Sequence, residues 1–396
     1  MKRKIAILGS TGSIGKTLLK IIEKDKSNFE IILLSANKNY KQLIKQAKFF
    51  NVKNLIITDK KTFKLCSEKN YFRKYNIFNN YEYFNKIIKK KIDYTMSAII
   101  GIDGLYPTLK IINFTKKIAI ANKEAIVCGW NLISKLAIKN KTQVIPVDSE
   151  HFSIWSLLNY RSLLNKQKSI NHLIDEVFIT ASGGPFQNFK KSQLKFIKPE
   201  QAVKHPNWKM GQKISIDSST LMNKVFEVIE VQRLFKIDPK RIKIIVQPSS
   251  YIHAIVKFTN GTIKLLAHEP NMKVPIFNSL YQNNPKYKIN SKKVNFNNLS
   301  HLDFKPVDVH KFPIIKIIKK IDSKVSLFET AITVANDELV NLFIKKKISY
   351  LEISKFLNNF LKTKYVKSLK RKSPSNYSKI QQIKKFVRLK IKNQYN

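Results

Sequence analysis

Residues 146–151 read PVDSEH and bring Asp148, Glu150 and His151 together straight after the apolar pair Val144 and Ile145. Where such a run ends a buried strand, alternate side chains share a face, so Asp148 and Glu150 are expected on one side and Ser149 on the other. Two like charges held so close repel. A hard divalent cation satisfies both, given a third ligand from elsewhere in the chain. The stretch SSTLMNKVFEVIE at 218–230 offers one. Ser218, Ser219 and Thr220 are suited to cap a helix whose apolar face carries Leu221, Val225, Val228 and Ile229. Asn223 and Lys224 then precede Glu227 by four and three residues, on the face adjoining that stripe. An ordinary Lys–Glu pair on a surface helix meets the same spacing, so the helix alone leaves both readings open.

Other stretches carry groups suited to binding. GSTGSIG at 9–15 sets Gly9, Gly12 and Gly15 between a strand and a helix. Small residues there let backbone N–H groups and the helix N-terminus approach a pyrophosphate, although a plain tight turn uses glycine too. The second strand candidate ends in Asn37, Lys38 and Asn39, without the acid that accepts from a free ribose 2′-OH. Lys38 and Asn39 can meet a 2′-phosphate instead, which favours NADPH over NADH. Asn122, Lys123 and Glu124 follow a further strand, where ligands of parallel sheets gather; a helix cap with a surface charge pair is the plainer alternative. Ser182 precedes two glycines in FITASGGPF, a turn that presents a hydroxyl and bare amides to an anion or simply reverses the chain. AVKHPNWKMG at 202–211 has no period yet contains a Trp, which is costly to expose unless it closes over something. A lid is expected there, with His205 facing an anionic ligand and Trp208 covering an apolar carbon chain; a Trp folded back into the core is the alternative.

These groups need a scaffold. Ile5 to Leu8 form a short buried-strand run, and Ile14, Leu18, Ile21 and Ile22 recur at helical spacing after the glycine turn. Strand candidates at 31–35, 55–58, 94–100 and 117–121 alternate with helical patterns, which predicts an α/β fold with a Rossmann-like, doubly wound parallel sheet. Beyond Glu150 the pattern changes to strands at 176–181 and 242–247 and a hairpin about Asn260-Gly261, as in a central α+β domain. Residues 285–308 are rich in Asn, Lys and Pro with little periodicity. From Lys311 the chain reads as helical: Ser349 and Glu352 form a capping box, and Ile353, Phe356, Leu357, Phe360 and Leu361 trace one stripe. The expected organisation is a dinucleotide-binding domain at 1–148, a catalytic domain at 149–284 with its lid at about 202–211, a linker at 285–310, and a C-terminal helical bundle at 311–396.

Composition narrows the class. A chain of 396 residues with 43% hydrophobic content suffices for several domains and a large core. The formal charge of +48 invites a nucleic-acid reading. Lysine, however, is spread along the whole chain beside much Asn and Ile, as biased coding produces, and no nucleic-acid motif accompanies it. Residues 345–396 are more basic still, with Glu352 their only acid; a solvated helix face accounts for that, and an acidic partner surface is the alternative. Cys66 and Cys128 give neither a disulfide framework nor a metal spacing. The apolar run near the start is cut after Leu8, too early for a secretory core, and no stretch approaches a bilayer span. The expectation is a cytoplasmic protein with no membrane and no nucleic-acid partner.

Read together, ILGSTGSIG, ANKEAIV, PVDSEH, SGGPF, HPNWKMGQKISIDSSTLMNK with Glu227 three residues on, and EPNMKVPI resemble one family in order: the 1-deoxy-D-xylulose 5-phosphate reductoisomerases. The resemblance runs from residue 5 to about residue 276 and extends to the helical C-terminus. It implies a homodimeric enzyme of isoprenoid precursor synthesis by the non-mevalonate route. Such an enzyme rearranges 1-deoxy-D-xylulose 5-phosphate and reduces the product with NADPH to 2-C-methyl-D-erythritol 4-phosphate. By matched position, Asp148, Glu150 and Glu227 correspond to ligands of a divalent metal, and oxygen donors without a thiolate suit Mg²⁺ or Mn²⁺. Ser182, His205, Ser218, Asn223 and Lys224 match substrate positions, chiefly near the phosphate. Ser149 and Lys123 match positions nearer the reacting carbons, where Lys123 and Glu150 are candidates for moving protons. Thr11, Gly12, Ser13, Ile14, Lys38, Asn39 and Asn122 match the cofactor site, to which Gly9 and Glu124 are adjacent. Departures from the family pattern are Gln247 in QPSS, Val225 beside Lys224 and Asp337 in VANDELV.

Two other readings have distinct signatures. GSTGSIG also looks like the turn of NADP-dependent semialdehyde dehydrogenases, which need a reactive cysteine, and Cys128 in an apolar helical run lacks the setting for one. A non-catalytic, nucleic-acid-binding protein on a dinucleotide fold predicts steeply salt-dependent binding and indifference to divalent metal.

Overall fold

The computed structural model describes residues 1–159, 163–164, 171–282, 284, 287–289, 296–300 and 302–395. Its first layer is a seven-stranded, all-parallel sheet of β1 (Arg3–Leu8), β2 (Phe29–Ala36), β3 (Asn54–Ile57), β4 (Asn76–Phe78), β5 (Tyr94–Ser97), β6 (Lys117–Ile120) and β7 (Gln143–Pro146). The spatial order is β4-β3-β2-β1-β5-β6-β7. Helices cover both faces, which is why Ile5, Ala6, Ile7 and Leu8 are all buried and read as a continuous apolar run instead of an alternation. The direction of winding reverses between β1 and β5, so the carboxyl ends of those two strands open a crevice. Each strand expected before Glu150 lies in this sheet. β4 was not expected, being too short for a period to register.

The glycine turn sits at that crevice. Gly9 has φ +82°, and a Cβ there would come within 2.7 Å of the Ala98 carbonyl oxygen just beyond β5. A Cβ on Gly15 would lie 2.5 Å from the Ser10 Cα and 2.6 Å from the Gly9 oxygen. The first helix, Ser13–Glu23, therefore packs its backbone directly onto the turn. Gln46, buried on the next helix, clamps the turn from behind by accepting from the Ser10 hydroxyl at 2.8 Å and donating to the Ser10 carbonyl at 3.0 Å.

A second, mixed sheet has five strands: β8 (Ile174–Ala181), β9 (Ile242–Val246), β10 (Ile252–Phe258), β11 (Ile263–Ala267) and the short β12 (Lys305–Pro306). β10 and β11 form the expected hairpin about Asn260-Gly261. Much of the 285–310 segment read as a linker lies outside the described residues; the described part supplies the Asn297–Ser300 helix and β12, which pairs with β9. The C-terminal part is helical, with Leu327–Ile344, Tyr350–Lys362 and Tyr377–Tyr395 as its longest members. The Ser349–Glu352 capping box closes as expected: Glu352 Oε2 accepts from the Ser349 amide at 2.7 Å and its hydroxyl at 2.8 Å. Ile353, Leu357, Phe360 and Leu361 are buried beneath it. A buried ion pair, Arg233 to Glu329 at 2.6 Å, joins these helices to the Met222–Phe235 helix.

Because the Gly15 neighbours are backbone and cannot swing away, Gly15→Ala is expected to cost about 1–3 kcal/mol. Urea unfolding against the wild type measures it. A loss below about 0.5 kcal/mol would mean that helix and turn are not in contact as described.

Candidate active site

The candidate residues converge where the two sheets meet. β7 ends at Pro146, whose nitrogen faces the open edge of the sheet; the Val147 amide still bonds to the Ile120 carbonyl at 3.3 Å, and a helix begins at Ser149. Asp148 is its N-cap and accepts from the Ser149 amide at 3.2 Å; Glu150 lies in its first turn. The strand alternation expected for Asp148, Ser149 and Glu150 is therefore wrong. Ser149 does not face away but donates its hydroxyl to Glu150 Oε2 at 2.6 Å. A helix N-terminus stabilises both carboxylates through its partial positive charge, which a strand end would not do.

The second correction concerns Ser218, Ser219 and Thr220. Ser218 and Ser219 do not begin the Glu227 helix but close the preceding Gln212–Ser219 helix; of the three, Thr220 reaches it, its hydroxyl accepting from the Met222 amide at 3.3 Å. The Ser219 hydroxyl bonds back to the Ile216 carbonyl at 2.8 Å, consistent with an interior turn. Leu221 at φ 64° then breaks the path, and Met222–Phe235 starts in a new direction. On that helix Asn223, Lys224 and Glu227 share a face as expected. Asn223 Nδ2 donates to Glu227 Oε1, and Lys224 pairs with Glu227 Oε2.

Across this junction, one oxygen each of Asp148, Glu150 and Glu227 lies within 4.8 Å of the others. Lys123, first residue of the Lys123–Lys139 helix, reaches Asp148 Oδ2 at 2.7 Å, Asn223 Oδ1 at 2.7 Å and Glu227 Oε1 at 3.3 Å. Lys224 also donates to Glu150 Oε1. Burial opposes ionisation of Asp148, but Lys123 and His151 outweigh it and hold the carboxyl well below its usual range. Burial is likewise outweighed at Glu150, mainly by Lys224, which brings it to about 2. Glu227 is fully buried; burial and the nearby Glu150 push it up to about 7. Buried Asp148 Oδ2 contacts Lys123 without a well-directed hydrogen bond. Three converging carboxylates, offering oxygen donors and no thiolate, fit a hard divalent cation.

Lys123, Asp148, Glu150 and Lys224 line a cavity of about 600 Å³ that runs on to the glycine turn, whereas Glu227 has no exposed surface and lies behind them, outside its lining. Gly12, Ser13, Ile14, Asn122 and Glu124 line its far end, and Ser182, His205, Trp208, Ser218, Asn223 and Lys224 its near end. Gly9, Thr11, Lys38 and Asn39 are not among its lining residues. Gly9 makes the turn, Lys38 is exposed, and Asn39 caps the second helix by accepting from the Gln42 amide at 3.2 Å. Asn122 caps the Lys123 helix, accepting from the Ala125 amide at 2.8 Å and donating to the Gly101 carbonyl at 2.8 Å.

The lid segment lies against this opening. His205 Nδ1 accepts from the Asn207 and Trp208 amides at 3.1 and 3.0 Å, so the proton sits on Nε2, which lies 2.9 Å from the Ser182 hydroxyl. The half-buried Trp208 meets His253 edge-on with ring centroids 6.0 Å apart, and it is not folded into the core. Asn207 ties the segment to the Pro248 carbonyl at 2.7 Å and the Ser250 hydroxyl at 2.9 Å.

Models of the reductoisomerase match three stretches: 1-deoxy-D-xylulose 5-phosphate reductoisomerase over residues 5–129, its C-terminal domain over 144–235, and a second DXP reductoisomerase C-terminal domain over 268–390. A relative of that name from Pelagibacter ubique (strain HTCC1062) is 51% identical over 391 residues, covering 98% of each chain. The chain belongs to the 1-deoxy-D-xylulose 5-phosphate reductoisomerase family. The family's enzyme from Clostridium novyi (strain NT) is 36% identical over the full length of both chains. Among solved structures, the reductoisomerase from Zymomonas mobilis in complex with NADPH is similar at a TM-score of 0.85 and 30% identity, covering all of both chains. A reductoisomerase in complex with NADPH, fosmidomycin and magnesium reaches 0.90 at 28% identity, over 99% of this chain and 98% of that one.

Several residues in this member of the family were not assigned a role from the sequence. His151 Nδ1 lies between Asp148 Oδ2 at 3.5 Å and Glu230 Oε2 at 3.4 Å, while its Nε2 meets the Glu227 carbonyl at 3.1 Å. Burial disfavours its charge, but Glu230 and Asp148 prevail and lift it to about 9. The spacing of three from Asp148 to His151 and from Glu227 to Glu230 was the available signal. His253 and His268 stack at 3.7 Å and 19°, which no local pattern encodes because they come from neighbouring strands. Cys128 is buried and its thiol is pushed up to about 12, mainly by burial, so it is no nucleophile for a cysteine-dependent dehydrogenase.

The lid contact yields a pH prediction. Burial, then Lys224, lowers His205 from its ordinary 6.5 to about 4. A depressed histidine stabilises the folded arrangement above its ordinary pKa, and that contribution is lost as pH falls through the folded value. Once Nδ1 is protonated it cannot accept from the Asn207 and Trp208 amides. The emission of Trp208, taken as the difference from a Trp208→Phe variant, should be flat down to about pH 5.5 and change with a midpoint near 4. The transition should vanish in His205→Gln.

Proposed function

We propose that the chain converts 1-deoxy-D-xylulose 5-phosphate to 2-C-methyl-D-erythritol 4-phosphate, with NADPH and a divalent cation, Mg²⁺ or Mn²⁺, as cofactors. The substrate undergoes retro-aldol cleavage and aldol re-closure to a branched aldehyde phosphate, which is then reduced. The observation that carries this reading is the meeting of Asp148, Glu150 and Glu227, from two separate segments, at the wall of a cavity that Asp148 and Glu150 line, with buried Glu227 directly behind them and a glycine turn at its far end. Family membership over the full chain supports it.

Asp148, Glu150 and Glu227 hold the cation, which when bound polarises the substrate's carbonyl and hydroxyl oxygens as a Lewis acid. NADPH supplies the hydride, with Gly12, Ser13, Ile14, Asn122 and Glu124 along its binding wall and Lys38 and Asn39 toward the 2′-phosphate. Lys123 Nζ, already bonded to Asn223 Oδ1, is an ammonium beside the reacting oxygens and steadies or passes a proton there. Glu150 is the second proton-handling candidate, with Ser149 fixing its Oε2. Ser182, His205, Ser218, Asn223 and Lys224 take the phosphate end, and Trp208 covers the carbon chain. Binding energy from the remote phosphate then holds the lid shut and excludes water from the reacting carbons.

We assign the units as 1–148 for cofactor binding, 149–284 for catalysis, 285–310 as connection and 311–396 as a helical bundle. We infer a homodimer, a reading supported by β11, an edge strand with Ile263 64% and Leu265 44% exposed. An unpaired apolar edge of this kind calls for a partner, and a second copy of the same edge is self-complementary. The buried free thiols fit a cytoplasmic setting. Among the described residues no helix is long and apolar enough to cross a membrane.

Purified protein with the sugar phosphate and NADPH should lose nicotinamide absorbance only when Mg²⁺ or Mn²⁺ is present. Glu227→Gln should lower the rate by more than about 100-fold. Metal-independent oxidation would instead favour a simple dehydrogenase. In sedimentation velocity the wild type should run as a dimer, and Ile263→Lys with Leu265→Lys should shift it to monomer; an unshifted pair would rule out β11 as the interface.

A further inference from the structure

A second buried charge cluster lies immediately downstream of the lid, and of its members only Glu124, on the cofactor wall, has been given a role above. Lys213 is the second residue of the Gln212–Ser219 helix. Its Nζ donates to Glu124 Oε1 at 2.6 Å and lies 2.9 Å from Asp217 Oδ2 and 3.1 Å from Asp337 Oδ1. The three acids come from different elements. Glu124 stands in the first turn of the Lys123 helix, beside the cofactor wall; Asp217 is one turn beyond Lys213; Asp337 belongs to the Leu327–Ile344 helix of the C-terminal part. Asp217 is fixed further by Asn336, which donates to its Oδ1 at 2.8 Å.

One ammonium thus reconciles three carboxylates that would otherwise repel out of water. The side chains of Glu124 and Asp217 are only 8% and 2% exposed. Burial pushes Asp337 up to about 7 even with Lys213 beside it, a sign that negative charge is in excess. These acids are not a cation site in disguise. Among the described residues, the acidic groupings compact enough for one ion are those built on Asp148, whereas here the carboxylates are disposed about the ammonium. Upstream, the lid is anchored by His205 and Asn207. Downstream, Gly211 supplies no side-chain cap and has open space around it, so Lys213 is the next anchoring side chain.

We propose that Lys213 is a positioning residue of the lid. It clamps the downstream end of the 203–211 segment to the helix that presents Lys123 and to the C-terminal helices. This rests on the reductoisomerase reading and deepens it. Closure of Trp208 over the sugar phosphate then registers the lid with both the cofactor wall and the metal-side lysine. The clamp touches no reacting atom, so its loss weakens ligand capture more than the chemical step.

The test compares wild type, Lys213→Met and Lys213→Arg for KM and kcat, and follows Trp208 emission on adding the sugar phosphate with Mg²⁺ but no NADPH. Lys213→Met should raise KM for both sugar phosphate and NADPH by about tenfold, keep kcat within about threefold and blunt the Trp208 response; Lys213→Arg should restore most of it. If Lys213→Met fails to fold, adding Asp217→Asn and Asp337→Asn removes two of the stranded charges together with the clamp while leaving the cofactor wall intact, and the same outcome is expected. An unchanged Trp208 response, or a rise in KM for NADPH alone, overturns the proposal, the latter because it marks a local cofactor contact. A wild type without metal-dependent NADPH oxidation sinks the reductoisomerase reading, while the Trp208 comparison still decides the clamp.

Discussion

Carboxylates packed together out of water repel one another and forfeit hydration, so a protein that holds Asp148, Glu150 and Glu227 together must supply compensation from several directions. Here it comes from the N-terminus of the Ser149–Leu157 helix, from Lys123 and Lys224, and from His151 behind Asp148. These compensating groups come from three helices. The first sheet must end at Pro146 for the helix to begin at Ser149, and β6 must end at Ile120 for Lys123 to reach across. The Met222–Phe235 helix must run along the junction for Glu227 to be buried beneath both.

This explains why the molecule carries two sheets with a cavity between them. The parallel sheet places its crevice and the glycine turn at one end of that cavity. The mixed sheet places Ser182 after β8 and the Pro248–Ser250 segment under the lid at the other. A cofactor bound at one wall and a metal-held substrate at the other meet without either sheet deforming. The C-terminal helices contribute no group to the reacting centre, but through Arg233–Glu329 and Asn336–Asp217 they brace the two helices that do.

Much of this was legible in the chain because it is local. The glycine turn, the alternation of strands and helices, the Asn260-Gly261 hairpin and the Ser349–Glu352 box each need only a few neighbouring residues. The face shared by Asn223, Lys224 and Glu227 was equally legible, being set by helical spacing. The errors came at junctions. A carboxylate after an apolar run is read as strand continuation, yet the ladder ended with the Val147 amide and Asp148 became a cap. A serine-threonine cluster is read as a helix start, yet Ser218 and Ser219 finish one. The roles of His253 and Gln46 depend on contacts between elements distant along the chain, to which periodicity is blind.

The bend at Leu221 bears on how this sequence is free to drift. A left-handed backbone at φ 64° is tolerated by asparagine or glycine and, at some cost, by leucine, but branching at Cβ makes it strained. Elsewhere the core of this isoleucine-rich polypeptide can exchange one aliphatic side chain for another by repacking. At 221 the isomer with its branch one carbon nearer the main chain is disfavoured by torsion alone, and no adjustment among its neighbours relieves that.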